Sequence, residues 1–240
     1  MIIIPAIDIM DGRCVRLSQG DFAKQKIYSE NPVDVALTFQ KAGLKYLHVV
    51  DLDGAKEGKV KHWDVLRGIT AKTNLKVDFG GGIKTSQEIE KFFELGVEQV
   101  NLGSIAMKEP AKVKDWINKF GSDKIILSAD VMNKKIAVAG WQQQTEISVF
   151  DFINGFMEAG LHYVTCTDIS KDGMLGGSNV NLYKEIFSEI SKDTSILNLI
   201  ASGGIGSLKD LQAVRDTGCY GCIVGKAIYE GSIALTDLVN

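Results

Sequence analysis

The chain has 240 residues, 45% hydrophobic and 24% charged, with 3 prolines. That balance excludes a disordered or fibrous protein and suits one domain of β/α-barrel size. A formal net charge of −3 gives no broad basic field, which argues against nucleic acid as a partner and leaves room for an anionic small molecule held by backbone donors. No apolar run approaches the roughly 20 residues that span a bilayer.

The N-terminus, Met1-Ile2-Ile3-Ile4-Pro5-Ala6-Ile7-Asp8, is apolar but has no basic start and soon reaches a carboxylate, unlike a signal peptide. Four cysteines, Cys14, Cys166, Cys219 and Cys222, are too few for a disulfide framework in a chain this long. Reduced thiols and a cytoplasmic location are expected. In chain order, β-branched runs alternate with helical patterns. The spacing predicts a strand over Ile2 to Asp8 and a helix over Pro32 to Ala42. It then predicts a strand over Tyr46 to Asp51, a helix over His62 to Ala71, and a strand over Lys76 to Phe79. Next come a helix over Ser86 to Glu94, a strand over Gln99 to Leu102, a helix over Pro110 to Lys119 and a strand over Lys124 to Asp130. The remainder reads as helix Ser148 to Ala159, strand Tyr163 to Thr167, helix Asn181 to Ser191, strand Leu197 to Ala201, helix Ser207 to Thr217 and strand Gly221 to Val224. Thr85-Ser86 followed by Glu88, and Pro110 in a first turn, are helix-start signals.

An internal repeat organises these elements. Asp8 aligns with Asp130 at an offset of 122 (130 − 8), and Gly81-Gly82-Ile83 aligns with Gly203-Gly204-Ile205 at the same offset. So do Gly96 with Gly218 and Gly103 with Gly225, while Ala42 to Tyr46 matches Ala159 to Tyr163 at 117 (159 − 42). The expected fold is α/β: one (βα)8 barrel domain over residues 1–240, built from two repeated (βα)4 halves at about 1–121 and 122–240. In such a barrel Asp8 and Asp130 face each other at the C-terminal strand ends, where barrel enzymes carry their chemistry; symmetric placement argues against two helix caps.

Glycine lets backbone N–H groups approach an anion. Gly203 and Gly204 after strand 7, with Gly225 and Lys226 after strand 8, occupy the usual phosphate position of this fold. Gly81, Gly82, Gly103 and Ser104 are their repeat mates. Two phosphates on opposite sides of the mouth follow, against the alternative that the glycines only make tight turns. A ligand stretched between them places its middle between Asp8 and Asp130, which suggests metal-free proton transfer. His48, His62 and His162 are read as structural, with no metal and no cofactor expected. Cys219-Tyr220-Gly221-Cys222 has redox-motif spacing, but Cys222 leads into an apolar strand rather than opening a helix.

Ile4-Pro5-Ala6-Ile7-Asp8, Val15-Arg16-Leu17-Ser18-Gln19-Gly20-Asp21, Asp51-Leu52-Asp53-Gly54-Ala55, Phe79-Gly80-Gly81-Gly82-Ile83 and Thr167-Asp168-Ile169-Ser170-Lys171-Asp172-Gly173 together resemble the phosphoribosylformimino-5-aminoimidazole carboxamide ribotide isomerases of histidine biosynthesis, along the whole chain. The resemblance implies a cofactor-free Amadori rearrangement of a bis-phosphorylated small molecule, an aminoaldose becoming an aminoketose. It implies Asp8 as the general base at C2 and either Asp130 or Asp172 as the acid. Thr167 then hydrogen-bonds a catalytic carboxylate or the substrate, Trp141 stacks on the aminoimidazole, and Arg16, Gln19 and Gly173 lie in loops that bind substrate. A free aspartate has a pKa of about 3.9, so the acid must be raised; Asp130 or Asp172 is expected to be, with Asp8 ionised. A monomer is expected. The sister cyclase subunit, which resembles this chain in fold and repeat, typically has cysteine where this chain has Ala6. A bifunctional isomerase also using phosphoribosylanthranilate stays open.

Overall fold

The β-branched start of the chain forms β1 (Ile2–Met10), and a two-residue turn at Asp11 and Gly12 folds it back into the antiparallel hairpin β2 (Arg13–Ser18) and β3 (Asp21–Ser29). Both turn residues have positive φ, 51° and 76°, the requirement of the tight turn that matches strand twist. The structure, a computed structural model, describes residues 1–18, 20–190 and 197–239. After the hairpin come α1 (Pro32–Lys41), β4 (Tyr46–Asp51), α2 (Leu52–Glu57), α3 (Trp63–Lys72), β5 (Lys76–Gly80), α4 (Ser86–Glu94), β6 (Gln99–Leu102), α5 (Ser104–Lys108) and α6 (Pro110–Phe120). The second half repeats the plan with β7 (Ile125–Met132), the hairpin β8 (Lys135–Val138) and β9 (Gln143–Ser148), and α7 (Val149–Met157). It closes with β10 (Tyr163–Asp168), α8 (Val180–Glu189), β11 (Asn198–Ser202), α9 (Leu208–Arg215), β12 (Gly221–Val224) and α10 (Lys226–Tyr229).

Eight parallel strands, β1, β4, β5, β6, β7, β10, β11 and β12, pair in that order, and β12 returns to β1 with Ile2 opposite Gly221 and Pro5 opposite Val224. The sheet closes into a barrel. The eight strands and seven long helices read from the sequence are all present, with ends shifted by one or two residues; Ser191, the expected end of α8, lies outside the described residues. Among the described residues, no helix is long and apolar enough to cross a membrane.

Local signals explain the helices. In α4 the Thr85 Oγ1 accepts the Glu88 N–H at 3.2 Å while Glu88 Oε2 accepts the Thr85 N–H at 2.9 Å, a reciprocal cap. Its buried face, Ile89 and Phe92, meets the barrel through Phe92 on Phe79 at 4.7 Å between ring centres. Strand residues of one parity, such as Leu47, Val49, Val77 and Phe79, are fully buried under the helices. Each contributes roughly 1.5–3 kcal/mol over exposure.

Residues of the other parity fill the interior. At the N-terminal end Ile4, Ala6, Ile126, Ile200 and Ile223 form a separate apolar cluster, with Tyr46, Tyr163 and Tyr220 packed against it. Nearer the C-terminal end the interior turns polar, with Asp8, Asn101, Thr165 and Thr167 all buried, while the buried Asp78 sits lower, in register through His48 with Ala6. An apolar plug below and a polar basin above put the reactive groups at one end.

The repeat is present in the backbone as well. The β7–β8 turn at Asn133 and Lys134 has φ of 51° and 64°, the counterpart of Asp11 and Gly12 at the offset of 122, and Val131 pairs with Ile136 as Ile9 pairs with Cys14. Gly103 (φ −104°, ψ −92°) and Gly225 (φ −113°, ψ −94°) open α5 and α10 with nearly the same geometry.

Candidate active site

Strand parity aims Asp8 from β1 and Asp130 from β7 into the mouth, and three barrel strands separate β1 from β7 either way round. The two carboxyls therefore stand on opposite walls. From the first hairpin Arg16 reaches in, its Nη1 2.9 Å from Asp8 Oδ2 and its Nη2 3.8 Å from Asp172 Oδ1. Asp172 belongs to the turn after β10, where its N–H donates to the Asp168 carbonyl at 3.1 Å. That turn is fixed by the Asp168 carboxylate, which accepts from the Ser170 N–H, the Ser170 hydroxyl and Asn179 Nδ2 at 2.9, 2.6 and 2.6 Å. Thr167 pairs with Asp130 across β10 and β7, and the Asp130 carboxyl is hydrogen-bonded by Trp141, Thr167 and Ser128.

Burial pushes all three carboxyls above the ordinary aspartate range. The sequence reading expected only Asp130 or Asp172 to be raised; Asp8 is raised too, because its site is as dry as theirs. The compensating forces differ. Arg16 and His48 draw Asp8 back down by charge, and hydrogen bonds from Trp141, Thr167 and Ser128, with the His48 charge, do so for Asp130. Asp172 is opposed by Arg16 and Lys226 but pushed further up by the charges of both Asp8 and Asp130. For Arg16, burial works against the cation, and Asp8 and Asp172 more than offset it, so it stays charged.

The two hairpins meet above the mouth. Trp141, at φ 69°, lays its ring over Gly20 so closely that a Cβ there would sit 2.3 Å from ring carbon Cε3. Arg16 rests on Gly225 in the same manner, 2.6 Å from where a Cβ would be. With Asp172, Gly173, Ser202, Gly203, Gly204 and Lys226 it lines an open cleft after β11 and β12. Lys226 Nζ donates to the Gly173 carbonyl at 2.7 Å, tying that cleft to the Asp172 turn.

Across the barrel, Gly81 (φ 109°) is pressed on the Asp51 carbonyl, where a Cβ would lie 2.2 Å from the oxygen, and Gly82 (φ 84°) is pressed on Lys59. Close backbone approach alone requires glycine at both positions. The Ser104 hydroxyl accepts the Ala139 N–H at 3.1 Å, joining α5 to the second hairpin. Gln19 lies outside the described residues. Of the other expected site residues, Arg16, Asp172, Gly173, Gly203, Gly204, Gly225 and Lys226 line one cleft, and Asp8 contacts it through Arg16.

Sequence reasoning missed two things. His48, read as structural, faces inward on β4: its Nδ1 is 2.5 Å from Asp78 Oδ1, and its charge acts on both Asp8 and Asp130. Counting parity from Tyr46 would have placed it inside. His62, also read as structural, lies with Asp51 and Asp53 in a group whose ligand atoms fall within 4.8 Å of one another. Protein donors already engage it: Asp51 accepts the Gly54, Lys61 and His62 N–H groups, and Asp53 the Asp11 N–H and His62 Nε2 at 2.6 Å. All four cysteines are free and buried, and burial raises the Cys219 thiol to about 11 and Cys222 further, the reverse of a reactive pair.

Known proteins share this arrangement of sequence. The family model described as histidine biosynthesis protein matches residues 2–234. A Parabacteroides distasonis protein is 49% identical over 238 residues, 99% of this chain and 98% of its own length. A Flavobacterium psychrophilum protein is 49% identical over 240 residues, 100% of this chain and 98% of its own. A Cytophaga hutchinsonii protein is 48% identical over 238 residues, 99% of this chain and 98% of its own. All three are named 1-(5-phosphoribosyl)-5-((5-phosphoribosylamino)methylideneamino)imidazole-4-carboxamide isomerase. With the match running from one end of the barrel to the other, the chain belongs to the histidine biosynthesis protein family of β/α-barrels.

Proposed function

We infer that this chain is the isomerase its relatives are named for, converting the bis-phosphorylated aminoaldose to its aminoketose in histidine biosynthesis by an Amadori rearrangement. The observation that carries the mechanism is the convergence of three dry carboxyls, Asp8, Asp130 and Asp172, on one basin. We read Asp172 as the acid. It is the carboxyl raised by both of its neighbours, whereas hydrogen bonds to Asp130 favour the anion. Asp172 protonates the ring oxygen and the ribose opens to a protonated imine. Asp8 then takes the C2 proton, giving an enaminol that becomes the ketone as a proton returns to C1 and the C2 hydroxyl loses its own. No electron leaves the substrate, so the balance closes without a redox partner.

The glycine loops after β11–β12 and β5–β6 are read as the two phosphate seats, one per half of a single domain whose halves are about 1–121 and 122–240. Gly203, Gly204, Gly225 and Lys226, with Arg16 alongside, serve one phosphate; Gly81, Gly82, Gly103 and Ser104 serve the other. Trp141 covers the aminoimidazole and also donates to Asp130. A cytoplasmic monomer needing no cofactor is the expected form. The test is an isomerase assay on the purified chain with EDTA present and neither glutaminase nor ammonia. Turnover is expected; an inactive chain that instead makes imidazole product when ammonia is supplied would replace this reading with the cyclase.

A further inference from the structure

The two halves of the barrel differ where the fold does not need them to. On β4 and β5 the inward neighbours in register are His48 and Asp78. At the matching register on β10 and β11 stand Thr165 and Ile200. Thr165 is the repeat mate of His48 (165 − 48 = 117) and Ile200 that of Asp78 (200 − 78 = 122), the two offsets that relate the halves. One half thus closes its wall with a hydroxyl and an aliphatic side chain, and the other with a buried ion pair. Burying charge costs free energy that an apolar pair avoids. The twin half shows that this wall of the barrel forms without the pair.

The pair sits at a telling height. His48 is in register with Ala6 on β1, so Asp8, two residues on, is the next inward side chain above it. Asp78 Oδ1 holds His48 Nδ1 at 2.5 Å and is itself reached by Asn101 Nδ2 at 3.4 Å. Asp78 also lines a small cavity at the opposite, N-terminal face, among Ile4, Tyr46, Lys76, Gln99 and Tyr220. The charged groups acting on His48 are Asp78 from β5, Asp8 from β1 and Arg16 from β2, and its own charge reaches Asp130 on β7. Burial works against the imidazolium and Arg16 opposes it too, and Asp78, by charge and hydrogen bond, together with Asp8 more than offsets both.

We propose that Asp78 is a positioning residue that holds His48 as an imidazolium inside the barrel, keeping Asp8 and Asp130 anionic and leaving Asp172 as the carboxyl that carries the proton. This rests on the reading of Asp8 as base and Asp172 as acid. Arg16 lowers Asp8 most and His48 next, and His48 also lowers Asp130 after the hydrogen bonds from Trp141 and Thr167, whereas Asp172 is lowered by Arg16 and Lys226 and not by His48. A cation shared by two of three carboxyls separates their duties without touching substrate.

The chain has 3 histidines, so NMR of protein labelled at histidine reads His48 directly, with the signal assigned by its loss in His48→Gln. His48 is expected to stay protonated above the ordinary histidine value of about 6.5, and Asp78→Asn to bring its titration down. Removing a carboxylate that orients a metal-ligating histidine typically costs about 10–100-fold in activity, and a loss of that order is the expectation for this metal-free pair. Asp78→Asn is expected to lower kcat by that much with KM little changed, and to move the acid limb of kcat/KM to higher pH as Asp8 loses its cation. In a His48→Gln background Asp78→Asn should cost nothing more. The double variant His48→Thr with Asp78→Ile, copying the twin half, should keep its melting temperature and show the same kinetic loss. A wild-type His48 that titrates at or below the ordinary value overturns the proposal, as does Asp78→Asn with an unmoved acid limb. The titration needs no turnover, so a chain inactive as an isomerase but with a raised His48 would count against the isomerase reading alone.

Discussion

The division of labour among three aspartates follows from what surrounds each one. Asp8 has Arg16 at 2.9 Å, Asp130 has three hydrogen-bond donors, and Asp172 has two like charges pressing on it. A positioned acid or base contributes typically about 10²–10⁴-fold. Asp8→Asn and Asp172→Asn should each lose that much kcat while affinity for a bisphosphate product analogue changes little, because the phosphates are held elsewhere. Asp130→Asn, which keeps an acceptor for Trp141 and Thr167, should lose less than Asp172→Asn; the opposite order in steady-state rates would transfer the acid role to Asp130. In pH profiles, activity should fall as pH drops through the Asp8 value, where the base is lost, and again as pH rises through that of Asp172, where the acid is lost. Stability runs by the same linkage. The folded protein binds the Asp172 proton more tightly than the unfolded chain, whose aspartates titrate near 3.9. The stability so gained is complete below that pH and lost as pH rises through the folded value. At neutral pH the unfolded chain holds this carboxyl ionised, so burying Asp172 is a net cost, and Asp172→Asn should melt at a higher temperature than the wild type, with the gap closing as the pH approaches about 4. Thermal melts across pH check this, and a variant that melts lower throughout would mean that pairing with Arg16 outweighs burial.

Among the elements, the two hairpins bring the most to the site and were the least visible in the sequence. The eight barrel strands and seven long helices could be read because each buries a continuous apolar face, as in Ile89 and Phe92 of α4 or Val77 and Phe79 of β5. The inner hairpin strands bury short apolar runs, Cys14, Val15 and Leu17 in β2 and Ile136 to Val138 in β8, but β9 is exposed at Gln143, Gln144, Glu146 and Ile147, and a ribbon solvated along its outer strand leaves no sustained hydrophobic period to find. Its one local sign was Asp11-Gly12, a tight-turn dipeptide; Asn133-Lys134, with the same dihedrals, carries no glycine to mark it. Candidate site residues on strand ends, Asp8, Asp130 and Thr167, were legible from position, whereas the contacts of Trp141 with Gly20 and of Arg16 with Gly225 join segments far apart in the chain. Gly20→Ala tests the roof. A methyl group at φ 70° and 2.3 Å from the indole must displace Trp141, and a misplacement on the order of 1 Å can cost about 10²-fold in rate. A drop in kcat/KM of at least about tenfold is expected with a nearly unchanged melting temperature, since neither hairpin tip belongs to the core. A Gly20→Ala enzyme of full activity would show that the ring contact is incidental. Thr85→Ala removes the α4 cap instead and should cost about 1 kcal/mol of stability with unchanged kinetics, measured by denaturant unfolding.

At the scale of the whole molecule, two related halves carry two related pairs of glycine loops, which we read as two anion seats. Crystals soaked in sulfate or phosphate should show density at both the Gly82/Gly103 and the Gly204/Gly225 loops, and density at one alone would remove the case for a ligand phosphorylated at each end. The halves match in their turns and in the glycines that open α5 and α10. They part company at the Asp172 turn, because its repeat mate at 117 (172 − 117 = 55) is Ala55. Arg16 likewise answers to Val138 (138 − 16 = 122). A ligand with a phosphate at either end can enter a two-fold mouth in two directions, and only one of them sets the sugar to be opened beside Asp172 and Arg16. The reversed passenger fills the barrel and reacts with nothing. Such idle occupancy lowers kcat and KM by one common factor and leaves their ratio untouched. On the reading of Asp172 as the acid, the aspartate and the arginine that lack counterparts in the other half are among the differences that give this barrel a sense of direction.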